Sequence, residues 1–134
     1  MEILPSTEKG YLPYFLLYQA TAAFIHAIVC YLSPPAVSTV QFRGSGAPPP
    51  TTLLAHVYGV KNFYTVLIRL YAAYHIGNRE VYTLAMLTFV GVLWLYVTEL
   101  AVWKTVTLRD AAVPYVTAGL GLIWMVRERG WYTG

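Results

Sequence analysis

Charged side chains are scarce in this chain. Its 134 residues include nine Lys and Arg and six Asp and Glu, so charged residues make up 11% of the sequence while hydrophobic residues make up 57%. Soluble domains have about 25% charged residues. A domain of this size buries only part of its surface, and so few charges would leave large apolar patches in water. The composition therefore predicts a membrane protein and argues against a water-soluble enzyme.

The residues that usually carry catalysis or bind cofactors are also few. One cysteine, Cys30, allows neither an intrachain disulfide nor a Cys-rich metal site. His26, His56 and His75 form no closely spaced pair, which excludes an oxidase with a histidine-rich iron site, and we interpret them as packing or interface histidines. The Gly119-Leu120-Gly121 segment follows no strand and lacks the third glycine of a dinucleotide fingerprint. We expect no catalysis, no cofactor and no metal.

Basic residues do not cluster either. The chain has a formal charge of +3, but its Lys and Arg residues stand singly between apolar runs. Nucleic-acid binding requires a basic patch or stripe. The charge pattern therefore predicts no nucleic-acid partner.

Long apolar runs dominate the sequence. A helix needs about 20 mostly apolar residues to cross about 30 Å of hydrocarbon. Four runs approach that length, at residues 11–32, 53–76, 80–103 and 111–126, and the Pro- and Gly-rich segment 33–52 between the first two is predicted to be a loop. No Ala-x-Ala-like site follows the first run, so we expect it to be retained. The prediction is an all-α membrane protein, a single domain (residues 1–134) built as a bundle of four transmembrane helices.

The turn at Gly77-Asn78 predicts the closest helix pair. Because only about four residues join the second and third spans, we expect these two to form a tight antiparallel hairpin. An even number of spans places both termini on one side of the membrane. Four basic residues lie on that side and three on the other, which favours cytosolic termini. Small residues at helical spacing on several faces predict a homo-oligomer.

Charges inside the predicted hairpin define its candidate site. Measured along the helices from the turn at about 1.5 Å per residue, Arg69 lies at about 13 Å, Lys61 at about 25 Å and Glu99 at about 32 Å. We therefore predict that Lys61 pairs with Glu99, and that Arg69 reaches toward the turn to pair with Glu80 or with nearby tyrosines. Such pairs either neutralise charge and fix helix register or form a patch that binds a partner. This polar hairpin comprises Lys61, Arg69, Tyr71, Tyr74, Asn78, Glu80, Glu99 and Lys104.

The hairpin residues also resemble a known family. The segments that carry the resemblance are Arg69-Leu70-Tyr71-Ala72-Ala73-Tyr74, Asn78, Tyr82-Thr83-Leu84-Ala85, Thr88-Phe89, Glu99 and Lys104-Thr105. Together they resemble the core motif of the ergosterol biosynthetic protein 28 family. Three further segments look like its fungal members: Gly10-Tyr11-Leu12-Pro13, Val116-Thr117-Ala118-Gly119 and Trp131-Tyr132. The first loop matches least.

The resemblance implies a function. Members of that family are multi-pass proteins of the endoplasmic-reticulum membrane, without known catalysis, that tether the enzymes of sterol C-4 demethylation: an oxidase, a decarboxylating dehydrogenase and a ketoreductase. The expected partners are these membrane-bound enzymes, other sterol-biosynthetic enzymes and membrane lipid.

Two alternatives remain open from the residues. A sterol-binding or sterol-modifying membrane enzyme would use Glu99 with His26 or His56 as an acid/base set. A small proton-coupled exporter would use Glu99 as its intramembrane carboxylate, but Lys61 at similar depth would keep that carboxylate charged.

Overall fold

The computed structural model describes residues 3–134, and the elements in that part of the chain are helices. They are α1 (Leu12–Leu32), α2 (Pro35–Ser38), α3 (Thr52–Tyr74), α4 (Arg79–Ala101) and α5 (Leu108–Thr133). The expectation of an all-helical chain is confirmed. The four long helices correspond to the four predicted apolar runs, and α2 is a single turn within the segment that was predicted to be a loop.

Polar residues at the helix starts explain where three of the long helices begin. The side chains of Thr51, Asn78 and Thr107 each accept a hydrogen bond from a backbone N–H in the first turn of α3, α4 and α5. Such caps satisfy amides that have no partner within the helix. In α1 a proline occupies the first turn instead, where its missing N–H costs nothing.

The helix that contains the fourth predicted span extends beyond it. The span was predicted at residues 111–126, and α5 runs from Leu108 to Thr133. Arg and Glu, at residues 127–129, are good helix formers, and a single glycine, Gly130, is tolerated inside a helix. Arg127 and Arg129 therefore do not end the helix, and the extent of the membrane span stays a prediction.

The long helices associate as two pairs. α1 packs along α3, and α4 packs along α5, whereas α3 and α4 touch over a shorter length. The prediction that the second and third spans form the tightest pair is therefore wrong. Gly59 explains the closeness of α1 and α3, because a Cβ there would lie 2.9 Å from the Cβ of Cys30. A short turn fixes which helices are consecutive, but small residues decide which helices approach most closely.

The main core lies where both termini meet. It contains Leu16 of α1, Ala72 of α3, Tyr82 and Phe89 of α4 and Met125 of α5, all fully buried. The Tyr82 hydroxyl donates a hydrogen bond of 2.6 Å to the Met125 carbonyl and so ties α4 to α5. Apolar packing therefore joins the two pairs at this end, and the hydrogen bond holds α4 to α5 within one of them.

Contacts between the ends of the chain reinforce this end of the bundle. The Leu12 amide donates to the Tyr132 hydroxyl at 3.3 Å. Lys9 Nζ donates to the Trp131 carbonyl at 3.1 Å, and the Trp131 indole N–H donates to the Lys9 carbonyl at 2.6 Å. Both described chain ends therefore lie at one end of the bundle, as expected for an even number of long helices.

A docked loop, residues 39–46, closes the opposite end. The amides of Gly44 and Gly46 donate to the carbonyls of Thr105 and Lys104 at 2.8 and 3.0 Å. The Arg43 guanidinium contacts the Asp110 carboxylate in a bidentate pair at 2.9 and 3.0 Å. The hydrogen bond from Arg43 lowers the pKa of Asp110, and so does one from Thr107. The α1–α3 connection is thus attached to the α4–α5 connection.

Two helices, α1 and α4, are long and apolar enough to cross a membrane. α3 and α5 have the length but not the hydropathy, because polar residues such as Lys61 and Arg69 in α3 and Arg127 and Arg129 in α5 interrupt their apolar pattern. All four long helices nevertheless present large apolar side chains outward. Crossing by all four helices stays a prediction.

Candidate functional site

A polar cavity of about 380 Å³ lies between the two helix pairs. We call it the central cavity. The side chains that carry its polar groups are Gln19, His26, Gln41, Tyr58, Lys61, Asn62, Thr65, Arg69, Tyr96 and Thr117. They come from α1, the docked loop, α3, α4 and α5, so the cavity exists only when the two pairs are together.

α3 supplies five of these ten side chains. Tyr58, Lys61, Thr65 and Arg69 follow one another at spacings of three, four and four residues. Residues at these spacings lie on one face of an α-helix. They form a polar stripe along α3, and Asn62 stands beside it.

His26 is held in a defined orientation at the cavity wall. Its Nδ1 lies 3.1 Å from the Asn62 side-chain nitrogen, and its Nε2 lies 2.9 Å from the Ser38 carbonyl oxygen. An amide nitrogen only donates and a carbonyl oxygen only accepts. In this orientation Nδ1 accepts from the Asn62 amide and Nε2 donates to the Ser38 carbonyl.

Lys61 has weak partners. Its ammonium donates to the Asn62 side-chain oxygen at 3.4 Å and lies 5.1 Å from the centre of the Tyr58 ring. The first contact is long for a hydrogen bond, and the second is a cation–π interaction. Two of the three ammonium donors have no acceptor among the described residues.

Arg69 is more deeply placed, with 5% of its surface exposed. Its Nε donates to the Thr88 hydroxyl at 3.0 Å, and that hydroxyl in turn donates to the Ala85 carbonyl at 2.6 Å. The guanidinium carbon lies 4.2 Å from the centre of the Phe89 ring. These contacts use one of the five guanidinium N–H groups and one ring face.

The predicted ion pairs are not formed. The cavity lining contains no Asp or Glu, and within residues 3–134 the structure has one salt bridge, between Arg43 and Asp110. The Glu99 carboxylate instead accepts a hydrogen bond from the Thr105 hydroxyl just past the end of α4. The pairing of Lys61 with Glu99 and the pairing of Arg69 with Glu80 were therefore both wrong.

The reason for the second error is geometric. Side chains on a helix lean toward its N-terminus. The N-terminus of α3 points away from the turn to α4, so Arg69 reaches away from Glu80 and meets Thr88 and Phe89 instead. The tyrosines considered as its other partners, Tyr71 and Tyr74, are exposed. Arg69 is consequently not displayed to a partner protein.

The other polar-hairpin residues lie elsewhere. The Tyr71 ring stacks on the His75 ring with ring centres 6.1 Å apart. The Tyr74 hydroxyl donates to the Ile3 carbonyl at 2.6 Å, and Asn78 caps α4. Two further members of the set, Glu80 in the first turn of α4 and Lys104 at the opposite end of the bundle, are exposed. Of the eight predicted residues, the central cavity brings together Lys61 and Arg69 alone.

Several cavity residues were not predicted as a site. His26 was interpreted as a packing or interface histidine, and Asn62, Thr65 and Tyr96 were not predicted to form a site. The spacing of polar residues along α3 contains the missing signal, because Asn62 and Thr65 fall within the same polar face as Lys61 and Arg69. No comparable signal exists for Gln41, which reaches the cavity from a loop.

Aromatic rings pack behind the cavity lining at two places. Phe15 packs against the lining residue Phe89 and against Trp124, with ring centres at 5.9 and 5.4 Å. Phe42 of the docked loop lies edge-on to the lining residue Tyr58 at 5.5 Å. Aromatic packing therefore supports the lining at Phe89 and at Tyr58.

The open side lies between α1 and α5. These helices touch near Phe15 and separate toward the start of α5. At the rim, Tyr18 is 68% and Val113 is 74% exposed. Access is therefore from the apolar outer surface.

The sterol-modifying enzyme considered as an alternative lacks its acid/base arrangement. His26 lines the cavity, but Glu99 contacts Thr105, and His56 stacks on Tyr31 with ring centres 4.2 Å apart. A general acid and base must reach one reacting group. The structure does not bring this acid/base set together.

An all-helical chain with outward apolar faces, two helices fit to span a bilayer and a polar cavity between helix pairs defines a small membrane-associated protein. Comparison with known proteins identifies its family. The sequence model described as "Erg28 like protein" matches residues 12–123. The chain belongs to the Erg28 family.

The relatives are fungal proteins that share the name ergosterol biosynthetic protein 28. The one from Candida albicans is 27% identical over 131 residues, covering 97% of this chain and 94% of the relative. The one from Saccharomyces cerevisiae is 28% identical over 133 residues, covering 98% and 88%. A third, from Gibberella zeae, is 35% identical over 83 residues, covering 61% and 49%. No solved structure matches the chain.

Proposed function

We propose that this chain is a non-catalytic scaffold of the endoplasmic-reticulum membrane that tethers the enzymes of sterol C-4 demethylation. Its partners in this proposal are an oxidase, a decarboxylating dehydrogenase and a ketoreductase. The observation that carries the proposal is similarity over nearly the whole chain to proteins named for ergosterol biosynthesis. The scaffold is a single membrane domain, crosses the membrane four times with cytosolic termini, and forms a homo-oligomer.

The outer surface of α4 supports a tethering role. Trp94 is 72% exposed, although it lies about two turns inside the helix. Interfacial tryptophans sit at the ends of membrane helices, where Trp103 and Trp131 are found. A large aromatic side chain that projects from the middle of a helix is the residue type that dominates protein interfaces. We assign Trp94 to contact with a partner enzyme.

Co-purification tests the scaffold. A tagged chain, expressed in fungal cells that lack their own copy, is isolated from microsomes in mild detergent, and bound proteins are identified by mass spectrometry. We expect the three demethylation enzymes in fixed ratio to the chain, and accumulation of 4-methyl sterols when the chain is absent. Conversion of 4-methyl sterols by the purified chain alone, or isolation without any of the enzymes, would refute the proposal.

Trp94→Ala locates the contact. We expect enzyme recovery, normalised to membrane-inserted chain, to fall several-fold because an interface tryptophan is lost. Leu87→Ala is the matched control, since Leu87 is 55% exposed and lies two turns earlier on the same face of α4. Equal recoveries from the two variants would remove Trp94 from the interface.

A further inference from the structure

The central cavity holds two cations without a counter-charge. Lys61 and Arg69 both line it, and no Asp or Glu does. Burying a charge without a partner of opposite sign is costly, and intramembrane charges face a partner or a cavity for that reason. The cost is reduced here by Thr88, Phe89, Tyr58 and neighbouring Asn62, which are neutral. One negative group between the cations would compensate both.

The free donors face usable space. Arg69 uses only its Nε within the described residues, leaving its terminal N–H groups, and Lys61 uses one of three donors. In the same residues no side-chain nitrogen or oxygen is both sealed from solvent and unpaired. The remaining donors are therefore reachable from the cavity. Planar guanidinium and ammonium groups together are a common way to bind carboxylate or phosphate oxygens.

The opening indicates what kind of molecule carries the anion. The polar groups lie inside, whereas the rim at Tyr18 and Val113 is exposed on the apolar outer surface. Away from this rim, Phe15 packs behind the lining residue Phe89 and Phe42 packs against the lining residue Tyr58. A volume of about 380 Å³ is within the range of small-molecule sites.

We propose that the central cavity binds the anionic head, a carboxylate or phosphate, of an amphiphile whose apolar part leaves between α1 and α5. Lys61 and Arg69 contact the negative oxygens. His26, held by Asn62 and the Ser38 carbonyl, forms part of the wall. The proposal is independent of the scaffold function, because it concerns the interior of the chain and not the surface that partners would contact.

Binding is measured on the full chain in neutral maltoside micelles by native mass spectrometry and calorimetry. The probes are oleate for a carboxylate, lysophosphatidic acid for a phosphate, and monoolein as a neutral amphiphile of similar size. We expect one bound oleate or lysophosphatidic acid per chain, at least about tenfold tighter than monoolein, the ratio that corresponds to one charge-assisted hydrogen bond. The tighter of the two charged probes identifies the head group.

Variants locate the site. Lys61→Gln removes one cation while leaving a side chain that can still contact Asn62. It should weaken the binding of the charged probes about tenfold or more and leave the binding of monoolein unchanged. Lys104→Gln, at an exposed position away from the cavity, is the matched control and should bind like the original chain. Arg69→Lys is the second variant and keeps the positive charge in case loss of that charge prevents folding. It should still weaken binding because the planar donor array of the guanidinium is lost.

Four outcomes overturn the proposal. Equal affinity for monoolein and the charged probes would mean that the anion is not recognised. Equal effects of Lys61→Gln and Lys104→Gln would place binding on general surface charge. If inorganic phosphate or acetate competes as strongly as the lipids do, the apolar part of the ligand contributes nothing. If none of the probes binds, water is the occupant of the cavity.

Discussion

Two glycines on α5 offer a direct test of how the helix pairs pack. A Cβ built on Gly121 would lie 2.8 and 3.0 Å from Phe15 ring atoms and 3.1 Å from a Phe89 ring atom, whereas a Cβ on Gly119 would meet nothing within 4 Å. The Phe15 ring cannot simply move aside, because it is packed against Trp124 and Phe89. The same substitution two residues apart should therefore have opposite effects.

The expected magnitudes follow from two terms. Gly→Ala in a helix gains up to about 1 kcal/mol from lower backbone entropy in the unfolded chain, and this gain is common to both variants. At position 121 the added methyl overfills a packed site, which costs about 1–3 kcal/mol. Because the shared gain cancels, the free energies of unfolding of the two variants should differ by about 1–3 kcal/mol, with Gly119→Ala the more stable.

Unfolding in detergent micelles measures the difference. Both variants are titrated with sodium dodecyl sulfate in maltoside micelles, with helix content followed by circular dichroism and compared with the original chain. Gly119→Ala should unfold at a slightly higher denaturant fraction and Gly121→Ala at a lower one. Stabilities within about 0.5 kcal/mol of each other would refute the close approach of α5 to the Phe15 and Phe89 rings.

Three further changes test single contacts. Tyr82→Phe removes the hydrogen bond to the Met125 carbonyl and should lower the free energy of unfolding by about 0.5–1.5 kcal/mol in the same titration; unchanged stability would contradict a contribution from this bond. Gly44→Ala places a Cβ 2.3 Å from a backbone carbonyl, so amide exchange in the docked loop should quicken at least about tenfold while α4 stays protected. The hydrogen bond from Arg43 lowers the pKa of Asp110, so this carboxylate supports docking fully above its unfolded pKa and loses that effect as pH falls through its folded pKa. In Asp110→Asn, amide exchange in the docked loop should be faster at neutral pH and should no longer speed up as the pH is lowered. If the exchange of the variant still speeds up at acid pH, another group is responsible for that change.

The sequence predicted the helices well because their signals are local. Apolar runs of sufficient length and capping residues such as Thr51 and Asn78 act within a few residues, and the observed bounds of α1, α3 and α4 differ from the predicted spans by only one or two positions. Helix pairing depends instead on how closely two surfaces approach. Gly59 permits the approach of α1 to α3, but its sequence context does not state which helix it faces.

The candidate site was predicted in part. Lys61 and Arg69 were identified because charge inside an apolar run is conspicuous. Their partners were not, because depth along a helix does not give side-chain direction. Thr105 also supplies Glu99 with both a hydroxyl donor and an amide that donates to the Glu99 carbonyl. This local arrangement is available to Glu99 without any help from α3.

The pairing of α1 with α3 and of α4 with α5 bears on how the chain is made. Synthesis from the N-terminus completes the first pair while the second does not yet exist, so the polar stripe of α3 has nothing to cover it. If α3 crosses the membrane as we propose, Lys61 and Arg69 lack the contacts of Thr88 and Phe89 until α4 is made. An arrest between the two pairs would then leave both cations uncovered, which makes the half-made chain chemically distinct from the finished one.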